Sequence, residues 1–237
     1  MFIFRIFSRL ITRMRWYRAC SSSARYAAYL RRRGIAVGSG NVFRAPATLS
    51  IDLSRPSLIT IGSDNDFNHH FTLMTHDWGS RVFRKLYHDF IPSSGAVTIG
   101  NNVVFGRNVT VLKGVTIGDN CIIAAGAVVT HSIPAGSVAG GIPAKVLCGI
   151  DQYYEKRKQL CVQEALEYAR SIQQRFNRRP VPGDFKEEFP LFVNGGEADR
   201  YPELPITRQL GPALELWNQT HRAPFQDFEE FLREAGL

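Results

Sequence analysis

The chain has 237 residues, and 44% of them are hydrophobic, which is enough for a core in one or two domains. Its four cysteines show neither C-x-x-C nor zinc-type spacing, so we expect no structural zinc, no disulfides and a reducing compartment. The net charge of +8 suits a membrane surface, an acidic glycan or a small polyanion as well as nucleic acid, so charge alone does not identify the partner.

The first twenty residues mix apolar and basic side chains. Arg5, Arg9 and Arg13 interrupt every apolar run, so we predict neither a signal peptide nor a membrane span here. A helix would place the apolar side chains on one side and the arginines on the other. Residues 1–36 are therefore predicted to be an N-terminal amphipathic helical segment. It either packs against protein, its own or a neighbouring subunit, or makes peripheral contact with an anionic membrane surface.

Between Ile99 and Val129 the sequence repeats every six residues. Each repeat begins with a large apolar side chain. Three positions later the residue is always Gly or Asn, and four positions later it has a small apolar side chain. Gly and Asn adopt a left-handed backbone most easily, as a tight corner requires. The three sets are Ile99, Phe105, Val111, Ile117, Ile123 and Val129; Val103, Val109, Val115, Cys121 and Ala127; and Asn102, Asn108, Gly114, Asn120 and Gly126.

A period of six matches neither an α-helix, at 3.6 residues per turn, nor a single alternating strand. It predicts a short strand, a tight corner and another short strand, repeated as in a β-helix of hexapeptide repeats. Upstream, Ile61, Phe67 and Leu73 keep the same spacing, and Val37 and Phe43 begin it. The core is therefore predicted to be all-β.

Two stretches depart from the repeat. Residues 44–60 are less regular, and residues 77–96 break the period completely. We interpret 77–96 as an excursion loop from one corner, which a solenoid tolerates because each coil contacts only its neighbours. The β-helix domain is thus expected to span residues 37–149. Such a fold offers no groove-reading helix, so nucleic acid is not an expected partner.

Residues 150–237 lack the repeat. Residues 151–177 have an apolar strip typical of a helix, and a second short helix is expected at 225–234. Aromatic residues between and around these helices make the segment too apolar for a solvated linker. We expect a C-terminal helix followed by a tail that wraps the solenoid or a neighbouring subunit.

The repeat segment ends in AAGAVVTHSIPAGSVAGGIPAKVL, which begins at Ala124. This ending resembles that of the CoA-dependent acyltransferases of the hexapeptide-repeat superfamily. The most similar branch contains maltose, galactoside and capsular polysaccharide O-acetyltransferases. The resemblance implies a left-handed parallel β-helix, a homotrimer, acetyl-CoA bound in clefts between subunits, and a saccharide acceptor. The lead-in SSSARYAAYLRRRGIAVGSGNVF also resembles capsule-type members, which favours surface polysaccharide biosynthesis.

A sugar hydroxyl needs a base to take its proton as it attacks a thioester, and a positioned imidazole supplies about 10²–10⁴-fold in rate. The family's base is a His in an A-T-H-like segment ahead of the loop, and His76 matches it here. The alternative interpretation is that His76 is merely a corner residue. Asp77, the next residue, is a candidate either to orient the His76 ring or to bind the acceptor, and Trp78 and His88 are further candidate acceptor contacts.

Cofactor contacts follow from the resemblance by position. The first candidate lies directly after the F-G pair, and the next two lie in the G-A-G-like turn. Two more stand where the family has a Thr-Lys pair, and the last lies in the P-A-K segment. The family often has an Arg three residues after that Lys, where this chain has Cys148. The six candidates are Arg107, Ala125, Gly126, Thr130, His131 and Lys145.

The adjacent residues His69 and His70 suggest a metal, since related β-helix proteins include zinc carbonic anhydrases. However, His70 and His76 are six residues apart and would occupy successive corners, and no further ligand has the family's zinc spacing. We therefore predict no metal.

We predict an acetyl-CoA-dependent O-acetyltransferase that acts on a saccharide hydroxyl by direct transfer. Its expected location is the cytoplasm, with peripheral contact at the inner face of the membrane as an open alternative. Two alternatives remain: N-acetylation of a nucleotide-linked amino sugar on the same scaffold, or a β-helix that serves only for assembly.

Overall fold

The computed structural model describes residues 14–237. These form two compact units, one that ends at Tyr153 and another from Tyr154 to Leu237. The arginine-interrupted stretch 1–13, on which the amphipathic-helix prediction mainly rests, lies outside the described residues. Across residues 14–237, no helix has both the length and the apolar character needed to cross a membrane.

The first unit is built from short strands, most of them two residues long, separated by tight corners. Within residues 14–237 the strands are β1 (Ala36–Val37), β2 (Val42–Phe43), β3 (Ser50–Ile51), β4 (Ile59–Ile61), β5 (Asp66–Phe67), β6 (Thr72–Leu73), β7 (Val97–Ile99), β8 (Val104–Phe105), β9 (Thr110–Val111), β10 (Thr116–Ile117), β11 (Ile122–Ile123), β12 (Val128–Val129), β13 (Ser137–Gly141) and β14 (Ala144–Gly149).

These strands stack into three sheets. The first has the order β1-β4-β7-β10, the second β14-β13-β11-β8-β5-β2, and the third β12-β9-β6-β3. All pairs are parallel except the β13–β14 hairpin at the end. Thr98 pairs with Thr116, so one full coil takes eighteen residues, or three hexapeptides. The coil is a triangular prism, and the predicted fold class, a left-handed parallel β-helix with an excursion and a helical C-terminal region, is confirmed.

The corners explain why the repeat contains Gly and Asn. Asn102, Asn108 and Asn120 have φ between 54° and 58°, and Gly114 and Gly126 have φ of 78° and 74°. These angles lie in the left-handed region that most side chains avoid. The five predicted corner positions between 99 and 129 are therefore confirmed.

The interior of the prism is filled by the two apolar positions of each repeat. The large residues from Ile99 to Val129 and the small ones from Val103 to Ala127 are all at most 1% exposed. Phe43, Phe67 and Phe105 stack across three successive coils, with ring centroids 4.9 and 5.0 Å apart. Burial of these side chains supplies the main stabilisation of the prism.

A helix covers the start of the prism. Helix α1 (Ser23–Arg32) begins after Ser22, whose side chain accepts a hydrogen bond from the Arg25 amide. The Tyr26 ring on its buried side lies 5.0 Å from the Phe43 ring, and the Ser23 hydroxyl accepts from the Phe43 amide. These contacts protect the first coil, which has no coil stacked before it among residues 14–237.

The excursion contains a helix that the sequence pattern did not predict. Helix α2 (Ser80–Leu86) lies inside the segment interpreted only as a loop. The ends of the excursion come back together, because the Gly95 amide donates to the Thr75 carbonyl and residues 76 and 94 form an antiparallel bridge. The prism therefore resumes in register at β7.

The second unit has its own core. The described helices after β14 are α3 (Ile150–Phe176), α4 (Ile206–Leu210), α5 (Leu214–Thr220) and α6 (Phe228–Glu234), and α3 begins in the first unit. The helix predicted at 151–177 is confirmed. The helix predicted from 225 begins three residues later, because the Asp227 side chain caps it by accepting from the Glu230 amide.

Aromatic side chains fill that core. Phe185, Phe192 and Phe231 are fully buried and lie 5.1 to 6.2 Å apart, centroid to centroid. On α3 the buried face is Ala165, Leu166, Ala169 and Ile172, whereas Tyr154 and Leu160, also assigned to the apolar strip, are exposed. The second unit is therefore a packed body rather than an extended tail.

Candidate functional site

His76 lies directly beyond β6, where the chain leaves the prism for the excursion. Its side chain is 21% exposed, so it reaches the surface without being free in solvent. His76 does not have the positive φ seen at the upstream corners Asp64 and His70. The left-handed corner role weighed as an alternative for His76 is therefore wrong.

Asp52 holds the ring of His76. The Nδ1 atom of His76 lies 2.6 Å from Oδ2 of Asp52, whose side chain is 12% exposed. Asp52 follows β3, and β3 pairs with β6 so that Ile51 is the partner of Leu73. Both side chains therefore extend from the same corner of neighbouring coils.

Further hydrogen bonds keep Asp52 ionised. Ser54 donates to Oδ1 from its amide, at 2.9 Å, and from its hydroxyl, at 2.6 Å, while the amide and hydroxyl of buried Thr75 donate to Oδ2. Burial alone would raise the pKa of Asp52, but these donors and His76 outweigh it and lower the pKa well below its usual value.

An ionised Asp52 fixes which nitrogen of His76 carries the proton. The carboxylate accepts from Nδ1–H, which leaves the lone pair on Nε2. Within residues 14–237 no side chain is hydrogen-bonded to Nε2. The arrangement presents a proton acceptor at the surface of the prism, with a carboxylate behind it that stabilises the imidazolium once formed.

The carboxylate of Asp77, the next residue, forms hydrogen bonds to groups other than His76. Its Oδ2 accepts from Lys113 and, at 2.9 Å, from the Ser93 hydroxyl, while Oδ1 accepts from the Gly79 amide at 3.0 Å. Lys113 also donates to Ser93, so one ammonium ties both ends of the excursion to the next coil. The Asp77 carboxylate is thus occupied in closing the neck of the excursion and makes no contact with the His76 ring.

We expect Lys113→Met to raise the pKa of Asp77. Lys113 is the main cause that lowers this pKa to about 2, with Gly79 and Ser93 contributing further. Because the pKa of Asp77 is lower in the folded protein than in the unfolded chain, where it is about 3.9, the ionised carboxylate stabilises the fold at pH values above 3.9. That stabilisation is lost as the pH falls towards 2. An NMR titration of the side-chain carboxyl carbon should show the pKa moving towards its ordinary value, and a pKa still near 2 would contradict this role for Lys113.

The other candidate acceptor contacts differ in position. The Trp78 ring is 67% exposed, and its centroid lies 6.2 Å from that of His76. His88 is exposed, with φ of 54°, beyond the end of α2. No hydrogen bond or ring contact joins His88 to His76 within the described part of the chain. The structure therefore brings the Trp78 ring next to His76 and shows no such contact for His88.

The predicted cofactor residues lie on two edges of the prism. Arg107, Ala125 and Gly126 belong to the edge between the second and third sheets, which we call the Arg107 edge. Their corners stack, since the Gly126 amide donates to the Arg107 carbonyl at 2.8 Å. A Cβ atom on Gly106 would lie 2.4 Å from the Ala125 amide nitrogen, so only glycine allows this stacking.

The remaining cofactor candidates lie elsewhere. Thr130 and His131 follow β12, on the edge between the third and first sheets, which also carries His76 and which we call the His76 edge. The Thr130 hydroxyl and Nδ1 of His131 are 2.8 Å apart. Lys145 is exposed on β14, opposite Gly140. One protomer therefore does not bring His76 and the Arg107 edge together.

Sequence reasoning missed Asp52, Thr75 and Lys113. Asp52 lies in the irregular stretch 44–60, where two 3-10 turns lengthen the corners and hide the register. Lys113 was detectable, because Leu73 pairs with Val111 and the same corner recurs in the next coil. Among residues 14–237, no cluster of three or more His, Cys, Asp or Glu side chains could hold a metal ion.

Comparison with known proteins agrees with this architecture. Residues 96–131 match the family model described as "Bacterial transferase hexapeptide (six repeats)". The matched stretch covers β7 to β12, the most regular coils, and it confirms the hexapeptide repeat that the sequence indicated.

Curated proteins that are similar to part of this chain include acetyltransferases. "Putative acetyltransferase YvoF" of Bacillus subtilis (strain 168) is 30% identical over 107 residues, which is 45% of this chain and 57% of that protein. The 2,3,4,5-tetrahydropyridine-2,6-dicarboxylate N-acetyltransferase of Staphylococcus aureus (strain JH9) is 41% identical over 69 residues, 29% of each chain. The chain thus spans 57% and 29% of the length of these two curated relatives.

One solved structure aligns with part of this chain. The maltose O-acetyltransferase of Clostridium difficile 630 is 23% identical, with a TM-score of 0.42 over 61% of this chain and 87% of that one.

Proposed function

We propose that this protein is an acetyl-CoA-dependent O-acetyltransferase for a saccharide hydroxyl in surface polysaccharide biosynthesis. The observation that carries the proposal is the pair formed by Asp52 and His76. It is a half-buried imidazole, oriented by an ionised carboxylate, with its second nitrogen facing outward. That is the arrangement which proton removal from a weakly acidic hydroxyl requires.

The proposed reaction is a direct transfer. The acceptor oxygen attacks the thioester carbonyl carbon, and its proton passes to Nε2 of His76. Asp52 stabilises the imidazolium that results. As the carbon–sulfur bond breaks, the sulfur leaves with the electron pair and takes the proton back from Nε2. The ester product and the free thiol then account for all atoms, and no acyl group is attached to the protein.

The separation of the two prism edges favours a homotrimer with shared sites. A site that uses both His76 and the Arg107 edge cannot form within one protomer, because the two lie at different corners of the triangle. A threefold axis would bring the His76 edge of one prism beside the Arg107 edge of the next. We therefore propose that each acetyl-CoA binds between two subunits.

Coexpression of His76→Ala with Ala125→Leu tests this arrangement. Ala125 is exposed, and a leucine there should block the pantetheine arm while leaving His76 intact. With random mixing, about a quarter of all sites in the trimer population combine both intact residues, so about a quarter of the wild-type rate should return. Coexpression of His76→Ala with the double variant is the matched control and should stay inactive. No recovery in the mixed trimers would contradict a shared site.

An acceptor panel tests the reaction itself. The full-length protein is incubated with acetyl-CoA and with sugars, amino sugars or nucleotide sugars, and thiol release is followed. We expect turnover with hydroxyl acceptors that lack an amine. Turnover with amines alone would instead support the second candidate, N-acetylation, which the identity with a Staphylococcus aureus N-acetyltransferase favours. Failure to bind acetyl-CoA by calorimetry would overturn both and favour an assembly scaffold.

A further inference from the structure

The excursion carries a helix that is left exposed by the rest of the described residues, 14–237. Every residue from 81 to 92 is exposed, including the whole of α2 after Ser80. Exposed apolar residues are normal when scattered singly, but a contiguous group marks a contact surface. The excursion therefore presents a surface whose partner is absent from the isolated chain.

Helix α2 has two distinct sides. At 100° per residue, Val82, Phe83, Leu86 and Tyr87 occupy one arc, and the last three are 36%, 65% and 70% exposed. The Phe83 and Tyr87 rings lie side by side with centroids 6.4 Å apart. The apolar side chains Phe90 and Ile91, 60% and 53% exposed, follow directly after the helix and extend this group.

The opposite arc is basic. Arg81, Arg84 and Lys85 share it, and Asp89 is the single carboxylate from residue 78 to residue 92. The core of a protein interface is usually depleted in Lys and other charges. An apolar face with cationic side chains beside it is instead typical of a helix that lies in the surface of an anionic membrane.

We propose that the excursion, residues 78–92, docks onto an anionic membrane surface. The apolar arc of α2 and the rings that flank it enter the headgroup region, and the three cationic side chains bind lipid phosphates. Trp78 belongs to the same surface, and its ring lies 6.2 Å from His76. Docking therefore brings the base to the level of the headgroups. Membrane binding itself does not depend on the proposed reaction.

Vesicle sedimentation of the full-length protein tests the proposal. We expect the wild type to bind vesicles that contain phosphatidylglycerol and to bind pure phosphatidylcholine much less. Leu86→Asp and Arg84→Glu should each lower the partition coefficient at least about fivefold. Leu86→Asp places a charge in the apolar arc, and Arg84→Glu reverses the charge of a side chain that binds lipid phosphate. The Arg84→Glu deficit should shrink more in high salt than the Leu86→Asp deficit, because the latter also includes the loss of an apolar side chain.

Matched controls keep the test specific. Leu216, on α5, is 65% exposed like Leu86, and Arg208, on α4, is exposed like Arg84, so Leu216→Asp and Arg208→Glu repeat each change elsewhere. Both controls should bind as the wild type does. Residues 1–13 are identical in every variant, so a difference in vesicle binding between variants is caused by the change in the excursion.

Fluorescence supplies an independent measurement. In a Trp16→Phe/Trp217→Phe background, Trp78 is the only tryptophan, and brominated lipids should quench its emission. Partition unchanged by both excursion variants, or no quenching of Trp78, would overturn the proposal. Dissociation of an oligomer by Leu86→Asp with unchanged partition would overturn it too and would assign the apolar arc to a second copy of the chain. A protein that binds vesicles but acetylates nothing would refute the proposed function alone.

Discussion

His76→Ala should lower the turnover of acetyl transfer at least about a hundredfold, with the affinity for acetyl-CoA nearly unchanged. The variant removes the only proton acceptor that Asp52 orients among the described residues, whereas the proposed acetyl-CoA contacts of the Arg107 edge remain. The change should therefore appear in kcat. Steady-state kinetics with the acceptor found in the panel, together with calorimetry of acetyl-CoA binding, measures both quantities.

His221→Ala is the matched control for that variant. His221 lies in the second unit, where its ring stacks on Trp217 and its Nε2 lies 2.8 Å from the Pro190 carbonyl oxygen. Its turnover should stay within about twofold of the wild type. A His76→Ala enzyme with near-normal kcat would remove the proposed mechanism, and one with lost acetyl-CoA binding would show that His76 serves the fold or the donor site instead.

Phe67→Ala should produce the largest loss of stability, about 3–5 kcal/mol. Phe67 is fully buried and lies in contact with three other rings. Its centroid is 4.9 Å from Phe43, 5.0 Å from Phe105 and 4.9 Å from Phe71. An alanine would leave a cavity between successive coils, which a closely packed prism fills only partly by relaxation. Urea denaturation at one fixed protein concentration measures the change in the free energy of unfolding.

Phe90→Ala provides the comparison on the surface. Phe90 is 60% exposed in the excursion, so the same truncation there should change the free energy of unfolding by less than about 0.5 kcal/mol. Similar losses from the two variants would mean that the stacked rings do not support the prism.

The regular coils were predictable from the residues alone because the pattern is local. Each hexapeptide contains its own inward side chains and its own left-handed corner. Asn102, Asn108 and Asn120 therefore identify the corners without any knowledge of the partner coil. The same reasoning located the excursion, since residues 77–96 abandon the period. Helix α2 inside it escaped detection because seven residues are too few to establish a helical period.

Boundaries in the second unit were predictable only in part. Helix α3 is long enough for its apolar strip to be recognised, and the prediction for it holds within a residue at each end. Helices α4 and α5 are short and lie among prolines, where the pattern favours turns. The aromatic residues were correctly expected to be apolar, but their packing around Phe185 depends on contacts between distant segments.

The repeat and the corners could be read from the order of the residues, because each depends on neighbours within six positions, and the resemblance to the family's A-T-H-like segment indicated His76 as the candidate base. The pair of His76 with Asp52, the tie of Asp77 to Lys113, and the separation of His76 from Arg107 depend on which coil lies above which. That register is a property of the stacked prism. Two side chains 24 residues apart become partners only when a whole turn of the coil, with its irregular corners, closes beneath them.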